Sequence, residues 1–196
     1  SDFFKPSVYD KVCEVLDRYA AIGGNTIDTA RIYCGGESEE AIGMWLKERN
    51  NREDMVIFTK GAHHDQNGPR VNPKAIESDY IDLYGWQRDD PDVPGSVIMN
   101  ALNEHIQAGR IKAIGGSNWS AERLQAANEY AEQNGLVGFS FSSPNFSLAK
   151  ANEPFWKGCV STDANDKKWH QETQLPLLSW SSQARGFFTG RFTPED

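Results

Sequence analysis

No stretch of the 196-residue chain approaches the roughly 20 consecutive apolar residues of a membrane-spanning helix, and no charged, apolar, small-residue leader opens it. A soluble, cytoplasmic protein with no membrane partner is the expectation. Cysteine is scarce: Cys13, Cys34 and Cys159 are widely spaced and odd in number, which argues against a disulfide framework and against a paired-cysteine zinc motif. Positive charge is short as well. Lys and Arg number 20 against 28 Asp and Glu, a formal net charge of −8. A general nucleic-acid surface needs a basic field and is not expected, although a local pocket can still hold an anionic cofactor. Gly35-Gly36 and Gly115-Gly116 do not extend to G-x-G-x-x-G, so a Rossmann dinucleotide site is not supported. His63 and His64 are adjacent, and consecutive side chains on an extended segment point to opposite sides; no metal is expected there.

What is present suffices for one core. With 38% hydrophobic residues the chain reads as a single domain over 1–196. Val12, Val15, Leu16 and Tyr19 recur at helical spacing before the Gly23-Gly24 stop. Ser38 is placed to cap a second helix, with Glu39 and Glu40 in its first turn and Ala41, Ile42, Trp45 and Leu46 as its buried stripe. Strand-like runs follow at 55–59, 80–84, 111–114, 137–142 and 175–180. Between them lie a helix over 97–108, using Ile98, Ala101, Leu102 and Ile106, and one capped by Ser120 that buries Leu124, Ala127 and Ala131. Residues 61–79 hold Gly61, Gly68, Pro69 and Pro73 and only a short piece at 74–77 that could coil, where a parallel crossover usually has a full helix. Residues 150–173 read as a helical connection and 181–190 as a loop. Helix and strand alternate without a repeat, which predicts an α/β fold with a parallel sheet.

The β-branched run before Asp28 ends by presenting that acid and then Tyr33, and the run over 55–59 ends at Lys60. Ionisable groups at strand ends can face a pocket. These three types suit carbonyl reduction: a phenol to protonate the carbonyl oxygen, a cation to lower the phenol's pKa from about 10, and a carboxylate to hold the cation. The plainer reading is a buried Asp28–Lys60 ion pair beside a rim tyrosine.

The words D-T-A-x-x-Y and F-T-K resemble the aldo-keto reductase family. So do G-G-E-S-E-E, Y-I-D-L-Y, L-N-E-H-I-Q-A-G-R-I, G-G-S-N-W and W-S-S-Q-A-R-G-F-F-T-G, which follow in family order. The resemblance implies a (β/α)8 TIM-type barrel, of which about six strands are readable here against eight. The opening strand and the final strand–helix units are the parts not read, and two open strand edges would favour self-association unless covered. It also implies an NADP(H)-dependent oxidoreductase acting on an aldehyde or ketone, or on the corresponding alcohol, with Tyr33 as general acid and Lys60 and Asp28 tuning it. The family's fourth position, a histidine, corresponds to Gln87, whose amide can donate a hydrogen bond but cannot titrate near neutrality. By the same resemblance Ser117 and Asn118 bind the nicotinamide carboxamide, and Ser143 stands where a neighbouring glutamine is usual. Trp180 stacks on the nicotinamide ring, and Ser181, Gln183, Arg185 and Gly190 wrap the pyrophosphate. The competing function, supported by Gln87 and the unread units, is a catalytically silent barrel that binds a ligand or partner.

Overall fold

The computed structural model describes residues 6–61, 81–149 and 151–191. Five of the strand-like runs become parallel strands: β1 (Thr26–Asp28), β2 (Val56–Gly61), β3 (Ile81–Trp86), β4 (Ile111–Ser117) and β5 (Phe141–Ser143). Among the described residues they form one sheet in the order β1-β2-β3-β4-β5. The helices are α1 (Pro6–Ala21), α2 (Glu37–Arg49), α3 (Gly95–Gln107), α4 (Ala121–Gln133) and α5 (Ala164–Thr173). The sheet is strongly curled. Phe58 of β2 and Phe141 of β5 stand three strand spacings apart, about 14 Å in a flat sheet, yet their ring centroids are 5.1 Å apart across the concave face. The expected α/β barrel class therefore takes the form of a curled half-barrel.

Period-two alternation sorts the strand residues between two faces. Tyr84, Trp86 and Ile114 face outward and pack with Ile98, Met99 and Leu102 of α3 and Leu124, Ala127 and Ala131 of α4. A second cluster joins Ile27 and Met55 to Ile42, Trp45 and Leu46 of α2 and Cys13 of α1. Cys13 takes the place expected of Val15, which is 65% exposed. Asp17 fixes α1 to α2 by accepting from Trp45 Nε1 (2.8 Å) and from two nitrogens of Arg49 (3.0 Å each).

Several local expectations give way for identifiable reasons. Ser38 does not cap α2. A turn over Tyr33–Gly36 runs into the helix, and Gly36 at φ 106° is the cap residue, so Ser38 lies inside the first turn and pairs its hydroxyl with Thr29 at 2.9 Å. Ser120 caps α4 as expected, accepting from the Arg123 N–H at 3.2 Å. The strand over 137–142 shortens to Phe141–Ser143, because side-chain amides substitute for a neighbouring strand before it. Asn103 exchanges two hydrogen bonds with the backbone of Val137, and Asn128 two with that of Phe139. The sixth run is reduced to isolated parallel bridges, Leu177 to Ser142 and Trp180 to Asn145. Pro176 within it has no N–H to give a ladder. Of the described residues in the 150–173 connection only α5 is helical, opened by an Asp163–Asp166 capping box. The 181–190 segment, expected as a loop, instead winds into a short 3-10 helix over Ala184–Thr189 that is broken at Arg185 and Gly186, with left-handed backbone at Ser181, Ala184, Arg185, Gly186 and Gly190. The 74–77 piece, His63 and His64 lie outside the described residues.

Candidate active site

Every predicted polar group from the strands emerges at the same end of the sheet. Asp28 closes β1, Lys60 is next to last in β2, Gln87 follows β3, Ser117 closes β4 and Ser143 closes β5. Backbone bonds carry the register past the strand ends: Arg31 N–H donates to Lys60 O at 2.9 Å, Gln87 N–H to Gly61 O at 3.0 Å and Asn118 N–H to Ser143 O at 3.2 Å. The C-terminal rim is the side of a parallel barrel on which chemistry is built.

At one side of the rim Lys60, its side chain 4% exposed, forms an ion pair with Asp28, whose side chain is 46% exposed. The ammonium also donates to Thr29 O at 2.9 Å. It lies 5.5 Å from the centroid of the Tyr33 ring and 4.1 Å from that of Phe58. Burial lowers the Lys60 pKa, and the Asp28 charge offsets that only in part. Tyr33 shifts the other way from the sequence-based expectation. Burial, and then the Asp28 carboxylate, push its phenol above 10.0. The charge of Lys60 is committed to Asp28 and Thr29 O, so it does not dominate the phenol. Tyr33 thus keeps its proton at neutral pH, as a proton donor must.

The other side of the rim is a polar wall. Ser117 Oγ donates to Ser143 O at 3.0 Å. Asn118, at φ 61°, reaches Ser117 Oγ (3.3 Å) and Gln87 O (3.4 Å) through Nδ2 and accepts from the Val160 N–H (3.2 Å) through Oδ1. The wall retains unused capacity: Ser143 Oγ, Gln87 Oε1 and Trp180 Nε1 are buried without a protein partner. Residues 155–160 lean on it, with Arg88 donating to Lys157 O. Trp180 packs edge-on against Phe155 at 5.6 Å and tilted against Trp156 at 6.1 Å. The Arg185 guanidinium lies 4.9 Å and 5.1 Å from those two rings. Ser181, Gln183 and Gly190 occupy the loop on either side of Arg185.

The structure therefore brings Asp28, Tyr33 and Lys60 together and joins Gln87 to Ser117, Asn118 and Ser143. Val160 as the partner of Asn118 was not foreseen; it is a backbone contact, on which no side-chain pattern reports. Phe58, directly beneath Lys60, was also missed, although F-T-K placed it in view. Among the described residues no three His, Cys, Asp or Glu gather as a metal site, and no helix is long and apolar enough to cross a membrane.

The chain is 33% identical over 153 residues to an aryl-alcohol dehydrogenase of Pestalotiopsis microspora, covering 68% of this chain and 40% of that protein. It is 30% identical over 187 residues to the aldo-keto reductase YhdN of Bacillus subtilis (strain 168), covering 88% and 52%. The chain thus spans about half or less of the length of these relatives. A solved structure provisionally named 2,5-diketo-D-gluconic acid reductase B superposes with a TM-score of 0.69 at 20% identity, over 91% of this chain and 60% of that one, and shares its fold. The sequence profile of the Aldo/keto reductase family matches residues 3–196, and the chain belongs to that family.

Proposed function

We propose that the chain acts as an NADP(H)-dependent oxidoreductase that interconverts an aldehyde or ketone with its alcohol, in the cytoplasm, with Tyr33 as the general acid. The observation that carries this reading is the buried Lys60, paired with Asp28 and lying 5.5 Å from the Tyr33 ring at the C-terminal rim. A bound nicotinamide would supply the hydride for reduction and take it in the reverse direction. A carboxamide brings two N–H donors and one acceptor, which suit the unpartnered Gln87 Oε1 and Ser143 Oγ. Ser117 and Asn118 hold that wall in shape, Trp180 offers a ring face, and the stacked Arg185 guanidinium offers charge to a pyrophosphate. Tyr33, kept protonated by burial and by Asp28, gives its proton to the carbonyl oxygen during reduction and takes one back in the reverse direction. Gln87 orients the same oxygen without titrating.

The names of the relatives include an aryl-alcohol dehydrogenase, so an aryl aldehyde is the first substrate to assay. Tyr33→Phe deletes the proton donor and almost no volume. Its rate of aldehyde reduction should fall on the order of 10²- to 10⁴-fold, while nucleotide binding, read by tryptophan fluorescence, holds. A Tyr33→Phe protein as fast as the parent removes Tyr33 from the chemistry. The second reading, a silent barrel that binds nucleotide or partner, is favoured by Gln87 at the histidine position. Nucleotide binding without turnover by the parent would establish it.

A further inference from the structure

Phe58, Gly85 and Gly115 have no part in the chemistry above, yet they line the space directly beneath Lys60. The Phe58 ring is 2% exposed, receives the Lys60 ammonium 4.1 Å from its centroid, and is braced edge-on by Phe141. Register explains how two rings and a lysine fit inside a narrow sheet: Lys60, Gly85, Gly115 and Phe141 are successive partners across β2, β3, β4 and β5. A Cβ at residue 85 would stand 2.9 Å from both Lys60 Cγ and Phe58 Cε2, and one at residue 115 would clash with three atoms of the Phe141 ring. Neither glycine has positive φ. Clearance, rather than backbone conformation, is what demands glycine at both positions.

We propose that Phe58, seated through Gly85 and Gly115, is the positioning residue of Lys60: its ring face carries the ammonium and aims it at Asp28 and Thr29 O, beside Tyr33. The negative face of an aromatic ring attracts a cation, and that attraction grows where water is excluded. A leucine in the same place would be as apolar and would offer no such face. Among the described residues, the titratable groups that face Lys60 are Asp28 from β1 and Tyr33 from the turn after it. Glu39 of α2 lies across β2, where it accepts from Thr59 Oγ1 at 2.6 Å. The consequence for catalysis rests on the reductase reading, whereas the placement of the lysine does not.

The test is an NMR titration of the 13Cε-labelled lysines in the parent, Phe58→Leu, Phe58→Tyr and Gly85→Ala, alongside the pH profile of aldehyde reduction. Removing the ring face disfavours the charged lysine, so Phe58→Leu should lower the Lys60 midpoint by about one pH unit. The high-pH fall in kcat/KM should move with it, with KM nearly unchanged. Phe58→Tyr keeps the ring and should titrate like the parent. Gly85→Ala should displace the Lys60 resonance and lower kcat; if it does not fold, the Phe58 pair still decides. A midpoint unmoved or raised in Phe58→Leu, or moved equally in Phe58→Tyr, overturns the proposal. A lowered midpoint in Phe58→Leu, together with a parent that reduces no aldehyde, leaves the positioning intact and removes the reductase reading.

Discussion

Each end of the sheet carries a buried contact between a carboxylate and a cation, and the two are built in opposite ways. At the N-terminal end the acid is the buried member. Asp82 of β3, its side chain 11% exposed, accepts from Arg52 (2.8 Å), from the Ile57 N–H (2.9 Å) and from Lys112 (2.9 Å). At the C-terminal end the base is the buried member, and Lys60 has one half-exposed carboxylate and one carbonyl. Burial opposes ionisation at both ends but prevails at only one. The donors around Asp82 outweigh it and hold that carboxyl below its ordinary value; around Lys60 burial wins, and the amine is held below 10.5. A saturated pair fastens strands together, and an undersaturated one keeps a group available for chemistry at some cost in stability.

The signs follow from proton linkage. The folded value of Asp82 lies below its unfolded value, so its contribution is present above the ordinary carboxylate range and is lost as pH falls through the folded value. The folded value of Lys60 lies below 10.5, so the unfolded chain holds that proton more tightly. Lys60 therefore opposes folding at neutral pH, and stability is regained as pH rises between its folded value and 10.5. The largest expected effect separates the two ends most sharply. Lys60→Met should lower the rate of aldehyde reduction on the order of 10²-fold or more, while its free energy of urea unfolding at pH 7 stays within about 1 kcal/mol of the parent. A stability loss of several kcal/mol would make the Asp28–Lys60 pair a structural clamp and erase the distinction.

Next in size is the reverse pattern at the other end. Asp82→Ala takes the acceptor from the Ile57 N–H and the carboxylate from the Arg52 guanidinium, which keeps its bond to Met55 O, and should cost about 3 kcal/mol in urea unfolding. The fraction that remains folded should reduce aldehyde at the parental rate. Because the acid-labile contribution is gone, the stability of the variant should also fall less steeply than the parent's below the ordinary carboxylate range. A variant that loses activity in proportion to nothing but Asp82 itself, with stability unchanged, would place the two ends in the wrong roles.

What the sequence disclosed depended on how local each cause is. Asp28, Tyr33 and Lys60 were legible because a strand ends visibly where β-branched residues stop, and the family words fix their order. Asp82 stood in one of those words, Y-I-D-L-Y, without revealing its role, since its partners come from three other segments. The cap of α2 was misread because Ser38 has the right chemistry, while the turn that starts the helix at Gly36 depends on left-handed backbone at Cys34 and Gly35. The direction of the Tyr33 shift was misread because it depends on which partner holds the charge of Lys60, a matter of three-dimensional placement. The Phe58–Gly85–Gly115 arrangement requires the register of four strands, which no single segment encodes.

The smallest effect tests whether burial, rather than contact alone, sets the strength of the N-terminal pair. Arg52 and Lys112 touch the same carboxylate at nearly the same distance, but the Arg52 side chain is 25% exposed and that of Lys112 is 59% exposed. Lys112 is the cross-strand neighbour of Asp82 on β4, where water and salt reach the ammonium and weaken its attraction. Lys112→Met should therefore cost less than about 1 kcal/mol, and the difference from the parent should vanish near 1 M salt, where the screening length is about 3 Å. Arg52→Met removes a less solvated, charge-assisted bond and should cost about 1.5–3 kcal/mol, with little response to salt. Urea unfolding of the two variants at low and high salt measures both quantities. Equal losses with equal salt dependence would mean that Asp82 behaves as a surface carboxylate, and the contrast with Lys60 would then rest on the C-terminal end alone.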